Sequence, residues 1–563
     1  MPMITTGSLA KVGRKTAVLL ASGDSRRSAN VTCWPAQRAL EEDLRGAFKS
    51  AGWSLLRGSP EAASTDEPHG FISSQAMGRE VFARLDRRAP LVIALAAWQY
   101  SHHVLMGLVR HKGPILLAAN WSGRWPGLVG LLNLRASLTK AGVEHSVIWS
   151  EDFAGKPGRR LIKEWCATGR VEHDTPHVHR IGPDDLSKSV RKTGERLAAE
   201  LADRPAIMGV FDEGCMGMYN AIIPDERLHR VGVFKERLSQ SALYAAMLAV
   251  PDKEADAARA WLERRGMTFV TGPREATDLT DRQVREQLKM YIAAARLADD
   301  FGCDAIGIQY QQGLKDLCAA SDLAEGLLNA SDRPPITHRG RVVRKGRPIL
   351  HFNEVDECAG LDAILTERAW GALKIPCDNT LHDLRWSDRD RSGTVDGEVW
   401  VFEISGAAPA THFQGGYAGA VSERQPPMYF RLGGGTLKGV SKPGEVVWSR
   451  VWVEGDASGG ARLHMDIGRC KAVALPPAET ARRWRETTPQ WPVMHASLYG
   501  ITRDQMMARH QSNHIQVAYA PTPQLADRAA AIKASMALAL GLRVHACGEN
   551  AQGRSLRGAF GKV

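Results

Sequence analysis

No apolar run in this chain approaches the roughly 18 residues that a membrane-spanning helix needs; the longest, such as APLVIALAAW, stop well short. The opening stretch MPMITTGSLAKVGRK has no hydrophobic signal core, so a cytoplasmic location and no membrane partner are expected. Nine cysteines, an odd number without a CxxC pair, exclude a disulfide framework or zinc ribbon and predict reduced, mostly buried thiols. The turn after RPAIMGVFDEG carries neither GxGxxG nor GxxxxGK[ST], which excludes a dinucleotide or P-loop nucleotide there. Charge of one sign is also scarce. A formal +11 is mild over this length, and the densest basic stretch, HRGRVVRKGR at 338–347, has no interleaved aromatics, so no nucleic-acid partner is expected.

What is present is an ordinary globular composition, 44% hydrophobic and 24% charged over 563 residues, which predicts about three domains. Residues 1–202 alternate apolar strands (TAVLLASG, LVIALAAW, PILLAAN, HSVIWS) with amphipathic helices, the pattern of a doubly wound parallel sheet. Residues 203–346 read as a second α/β unit. From 347 to 563 the alternation turns to EVWVFEIS, EVVWSRVWVEG and ARLHMDIGR, predicting a mainly β domain with flanking helices. The fold class is therefore α/β, two doubly wound units followed by a β-rich one.

Candidate chemistry centres on 303–360. CDAIGIQ reads as a buried strand ending at Gln309, SDLAEGLLN as a helix with Asp322 capping and Glu325 in its first turn, and ILHFNEVD as a strand delivering Glu354 and Asp356 to its carboxyl end. Each acid alone is explained as a helix cap. Far away, Thr502 and Gln505 form a capping box, and His514 opens an apolar alternating run; His510, four positions earlier, is expected to share a helix face with it. EHDTPHVHR brings His173, His177 and His179 together but is broken by Pro176, and a structural role is expected.

Taken together, AEGLLN with Glu325, NEVD with Asp356 and SNHIQV with His514 resemble the three metal-ligand motifs of the L-fucose isomerase family, in the same order. GDSRRS, AAWQYS, DEGCMGMYN, CDAIGIQ, EISGAAP and FQGGYAG extend the resemblance over most of the chain. It implies an aldose-ketose isomerase that uses Mn2+ or another divalent cation such as Mg2+. Glu325, Asp356 and His514 would be the ligands, with Glu325 and Asp356 also the catalytic acid/base pair. Gln309, Ser405, Tyr417 and Asn513 are implied to contact the sugar, while Arg26, Arg27 and Trp98 would reach the site of a neighbouring subunit in a homo-oligomer, a hexamer or trimer.

The residue types suit the reaction. Moving a proton between adjacent sugar carbons builds negative charge on their oxygens; a hard cation stabilises it, and oxygen-rich ligation favours manganese or magnesium. Paired carboxyls exchange the proton. YQQGLKDLCAASD departs from the family's loop, and His495 stands where the family has an aromatic, so the sugar, neutral or charged, stays open. A lyase or epimerase on the same metal site, and a non-catalytic sugar-binding protein, are the alternatives.

Overall fold

The computed structural model describes residues 13–61, 68–456 and 458–563. In the first sheet, Thr16–Ala21, Ser54–Arg57, Leu91–Leu95, Ile115–Asn120 and Ser146–Ser150 run parallel, with the first strand lying between the second and the third. Alternate residues face opposite ways. Leu19, Val92 and Ala94 pack against Leu40 and Leu44 of the helix Arg27–Ser50, while Val18, Leu91 and Ile93 pack against Leu128 and Leu131 of the helix Gly127–Lys140. Burial on both faces is why these strands are continuously apolar. Strand order reverses between Thr16–Ala21 and Leu91–Leu95, and open α/β sheets bind ligands beyond the carboxyl ends of strands at such a reversal. Arg26 and Trp98 follow those two ends.

The second sheet is also parallel, in the spatial order Leu350–His351, Ala305–Ile308, Ala206–Phe211, Val233–Leu238. Its carboxyl edge carries the segment from Asp212 to Met216, then Gln309, then the turn 353–355.

The third unit is a barrel. Gly444–Gly455 and Ala461–Ala472 form a long antiparallel hairpin, and Val493–Leu498, Glu398–Glu403, Asn379–Arg389 and His514–Ala520 close the circuit back to it. Arg543–Cys547 extends the sheet on one side, and Val178–Arg180 pairs with that strand. The helix Lys188–Asp203 packs on Pro523–Ala539. The stretch from about 178 to 203, read from the sequence as the end of the first α/β unit, therefore joins the C-terminal unit. Strand-helix alternation says nothing about a partner strand several hundred residues away.

Cysteines behave as expected: all nine are free, seven of them buried. No helix among the described residues is long and apolar enough to cross a membrane.

Candidate functional site

The three units meet at one small cavity. Arg26, Trp98, Pro126 and Val129 form its wall on the N-terminal side, Met216 and Glu354 come from the second sheet's carboxyl edge, and Asp383, Arg385, Ser405, Tyr429, Trp491 and Asn513 come from the barrel side. As the walls stand they enclose about 40 Å³, room for a water or two. A monosaccharide needs the walls to part. Among the contacts between the walls, the Arg26 guanidinium lies 4.7 Å from the Tyr429 ring centre, Ser28 Oγ donates to the Met428 carbonyl at 2.7 Å, and Trp98 and Val129 pack with Met216 in one buried cluster.

Glu354 reaches the cavity from a strained turn. It has φ +56° and ψ +22°, and Val355 beside it has φ +57°, a conformation that a β-branched residue rarely takes. Such strain costs of order 1–3 kcal/mol per residue and gathers at functional sites. Gln309 Nε2 holds the turn by donating to the Glu354 carbonyl at 3.2 Å. Burial, together with Asp383 opposite, raises the Glu354 carboxyl well above the ordinary range, although Arg26 opposes the shift. Burial raises Asp383 as well, against the pull of His514.

His514 opens the strand His514–Ala520, as the alternation predicts. Its Nδ1 stands 2.7 Å from Asp356 Oδ2. A carboxylate can only accept, so Nδ1 carries a proton, and Nε2 faces Asp383 Oδ1 at 3.7 Å and Glu354 Oε2 at 4.0 Å. A carboxylate that fixes an imidazole in this way is the usual support of a metal-bound histidine.

Asp356 lies behind this layer, with no exposed surface. Oδ1 caps the helix Glu357–Ala372 by accepting from Ala359 N at 2.9 Å, and Oδ2 also accepts from Arg450 Nη1 at 2.7 Å. Burial disfavours its ionisation, but Arg450 and His514 overcome that and hold its carboxyl far below the usual carboxylate range. Glu325, in the first turn of Asp322–Leu328, accepts from Ser321 Oγ and Asn353 Nδ2. Burial pushes both Glu325 and Asp322 up, and Asp322 pushes Glu325 further.

Of the residues implied to touch sugar, Arg26, Trp98, Ser405 and Asn513 line the cavity. Arg26 and Trp98 line it within their own chain; the resemblance implied a neighbour's site. Gln309 supports the turn from below. Tyr417 lies elsewhere, donating to the Asp332 carbonyl at 2.7 Å and set edge-on to Trp261, and Arg27 is exposed at the start of its helix. His510 does not share a helix face with His514. The helix ends at Arg509, and His510 Nε2 lies 2.9 Å from the His514 carbonyl. His173 and His495 are likewise structural: His173 stacks on Trp149, and His495 is buried in the barrel strand Val493–Leu498.

Three polar atoms at the cavity are buried without a protein partner: Trp98 Nε1, Asn513 Oδ1 and Arg385 Nε. Buried polar groups are otherwise almost always paired. At the cavity these atoms are available to the hydroxyls or other polar groups of a ligand.

No family model and no curated protein matches the chain. The functional reading therefore stands on the motifs and on this geometry.

Whether the residues suit a divalent cation can be asked of the donors themselves. In kind they do. Glu354, Asp383, Glu325 and Asp322 are acids whose ionisation burial disfavours, and a hard cation would stabilise their charged form. In arrangement the fit is looser. Among the described residues no group of three or more His, Cys, Asp or Glu side chains stands in metal-holding geometry. Adjacent ligands of an octahedral ion lie about 2.9 Å apart, so the 3.7 and 4.0 Å gaps around His514 Nε2 must close by about 1 Å. None of the trio Glu325, Asp356 and His514 lines the cavity itself; His514 Nε2 lies beside Asp383 and Glu354, which do.

Asp383 and Arg385 escaped the sequence reading, although a signal for them exists. In NTLHDLRW an acid and a base stand two apart, on one face of a strand whose other residues are buried.

Proposed function

We propose that the protein is a metal-dependent aldose-ketose isomerase of a monosaccharide, acting as a cytoplasmic enzyme with reduced thiols. The observation that carries this reading is the meeting of Arg26, Trp98, Ser405 and Asn513, from segments spread across the chain, at one cavity with Glu354 and Asp383 in its wall and His514 beside them.

Glu354, Asp383 and the Nε2 of His514 would hold the cation, which when bound stabilises the negative charge developing on the two sugar oxygens. Asp356 keeps the His514 proton on Nδ1 and the ring in place. The Glu354 carboxyl, which lines the cavity and is raised by burial, is a stronger base than an ordinary carboxylate and would accept and return the proton. Trp98 offers Nε1 to a hydroxyl and its face to the apolar side of the sugar, while Asn513 Oδ1 accepts from another hydroxyl. Closure of the Arg26 and Trp98 wall excludes water from the reacting carbons.

The test is ketose formation and exchange of the sugar's C2 proton with solvent, followed by NMR with and without Mn2+ after chelation. Chelated protein is expected to lose both. Full exchange in the chelated protein would remove the metal from the proposal.

A second readout needs no substrate. Carboxyls whose folded pKa lies above the unfolded one bind protons more tightly when folded, so their contribution to stability is present at low pH and is lost as pH rises past the ordinary carboxylate range. In the chelated protein the contribution of Glu354, read as the melting temperature of the parent relative to Glu354→Gln, is expected to fall as pH rises from about 5 to about 8. Mn2+ should raise the melting temperature, and by more at the higher pH, because it replaces protons at the acids. An equal Mn2+ effect at both ends would argue against these acids as its site.

A further inference from the structure

The cavity has a second, basic side, and its two arginines differ. Arg26 is committed to Asp24 through two parallel bonds, Nε to Oδ1 at 3.0 Å and Nη2 to Oδ2 at 2.6 Å. Arg385 is ion-paired with an acid but not hydrogen-bonded to it. No hydrogen bond from its guanidinium is found among the described residues, and its nearest acid is Glu403, with Nε 3.6 Å from Oε2. Both of those atoms are buried and unpartnered. Glu403 gives its other oxygen to Thr487 Oγ1 at 3.0 Å and Thr488 N at 3.3 Å, which holds its Oε2 just beyond hydrogen-bond reach of Arg385.

The backbone points the same way. Arg385 sits at a register shift between Leu384 and Trp386, where the strand Asn379–Arg389 slips against Glu398–Glu403. A bulge re-aims a side chain at the cost of regular pairing. Here the result is that Asp383 and Arg385 both line the cavity. A buried cation without a hydrogen-bonded acid is costly unless a ligand completes it.

We propose that Arg385 recognises an oxyanion group on the substrate, so that the sugar is an anionic monosaccharide bearing a carboxylate, sulfonate or phosphate away from its carbonyl end. This rests on the isomerase reading only for the word substrate; the anion subsite is a property of the cavity. Acids and guanidinium stand close together around the cavity, Asp383 two residues from Arg385. A neutral sugar would leave the Arg385 guanidinium without a hydrogen-bonded anion, which is a stronger basis for rejection than shape alone.

The experiment compares an aldohexose with its 6-carboxylate, 6-sulfonate and 6-phosphate on the Mn2+-loaded full chain, measuring kcat/KM for ketose formation and Kd by calorimetry. At least one charged sugar is expected to exceed the neutral one by about 100-fold or more in both. Arg385→Met should reduce that preference about 100-fold and Arg385→Lys by less, because lysine keeps the charge and loses the fork. Glu403→Gln, which perturbs the same ion pair, should leave the preference in place. Equal handling of neutral and charged sugars, loss of preference in Glu403→Gln, or failure of every charged sugar to bind would each overturn the anion subsite. Arg385-dependent binding without ketose formation would uphold the subsite and sink the isomerase reading; brisk isomerisation of the neutral sugar alone would do the reverse.

Discussion

Glu354→Gln is expected to leave a folded protein whose turnover, and whose exchange of the sugar's C2 proton, have fallen by about 1,000-fold or more. Glutamine matches the shape and keeps the strained backbone, but it can neither take a proton nor bind a cation as a carboxylate does. The carboxyl lines the cavity, is raised by burial and by Asp383, and stands 4.0 Å from Nε2 of His514. Stability should change little, because the folded protein holds this group poorly in its charged form. The measurement pairs a melting curve with NMR of the sugar in deuterated buffer. Turnover within threefold of the parent would move the proton-transfer role to another residue, Glu325 being next, since burial and Asp322 raise it as well.

Asp356→Asn is expected to act on the fold first. Asp356 Oδ2 takes both Arg450 Nη1 and His514 Nδ1, and its Oδ1 caps the helix Glu357–Ala372. Arg450 has 1% exposed surface and leaves Nε and Nη2 without hydrogen-bond partners, so Asp356 is the acid that compensates it directly. Removing one member of a buried ion pair costs about 3–5 kcal/mol, because the other charge is left behind. Asparagine also offers His514 an amide that can rotate to present N–H, freeing the ring to flip. Loss of activity in Asp356→Asn therefore does not by itself identify a ligand or a base. The check is the urea midpoint of the unfolding transition together with Mn2+ affinity: both should fall. A variant as stable as the parent would show that the pair with Arg450 does not hold this junction. The sign with pH follows from the depressed carboxyl. Its contribution is present above the ordinary aspartate pKa and is lost only in strong acid, as pH falls through its lowered value.

These two variants separate roles that look alike along the chain. Glu354 and Asp356 stand two positions apart in one motif, yet one lines the cavity while the other is enclosed among Arg450, His514 and a helix end. The turn between them decides it. With Glu354 and Val355 both at positive φ, the backbone reverses before the helix begins, and successive acids are sent to different sides. A string of residue types carries no such information. Similarly, Arg26 and Trp98 are predictable as loop residues beyond strand ends, but their chain of destination is not. The reversal of strand order in the first sheet and its packing on the barrel bring them to their own subunit's cavity.

The sequence by itself determined the class of the molecule: parallel α/β units followed by antiparallel β structure, reduced cysteines, and strands or helices ending at Gln309, Glu325, Asp356 and His514. Each of these follows from local physics, the period of apolar residues and the chemistry of caps, which act over one or two turns of chain. Only the tertiary structure decided which acids face the cavity, that residues 178–203 complete the C-terminal unit, and that Asp383 and Arg385 belong to the site at all. Those outcomes depend on pairings between strands far apart in the chain and on one register shift. Burial there sets which charges are paired and which are left for a ligand.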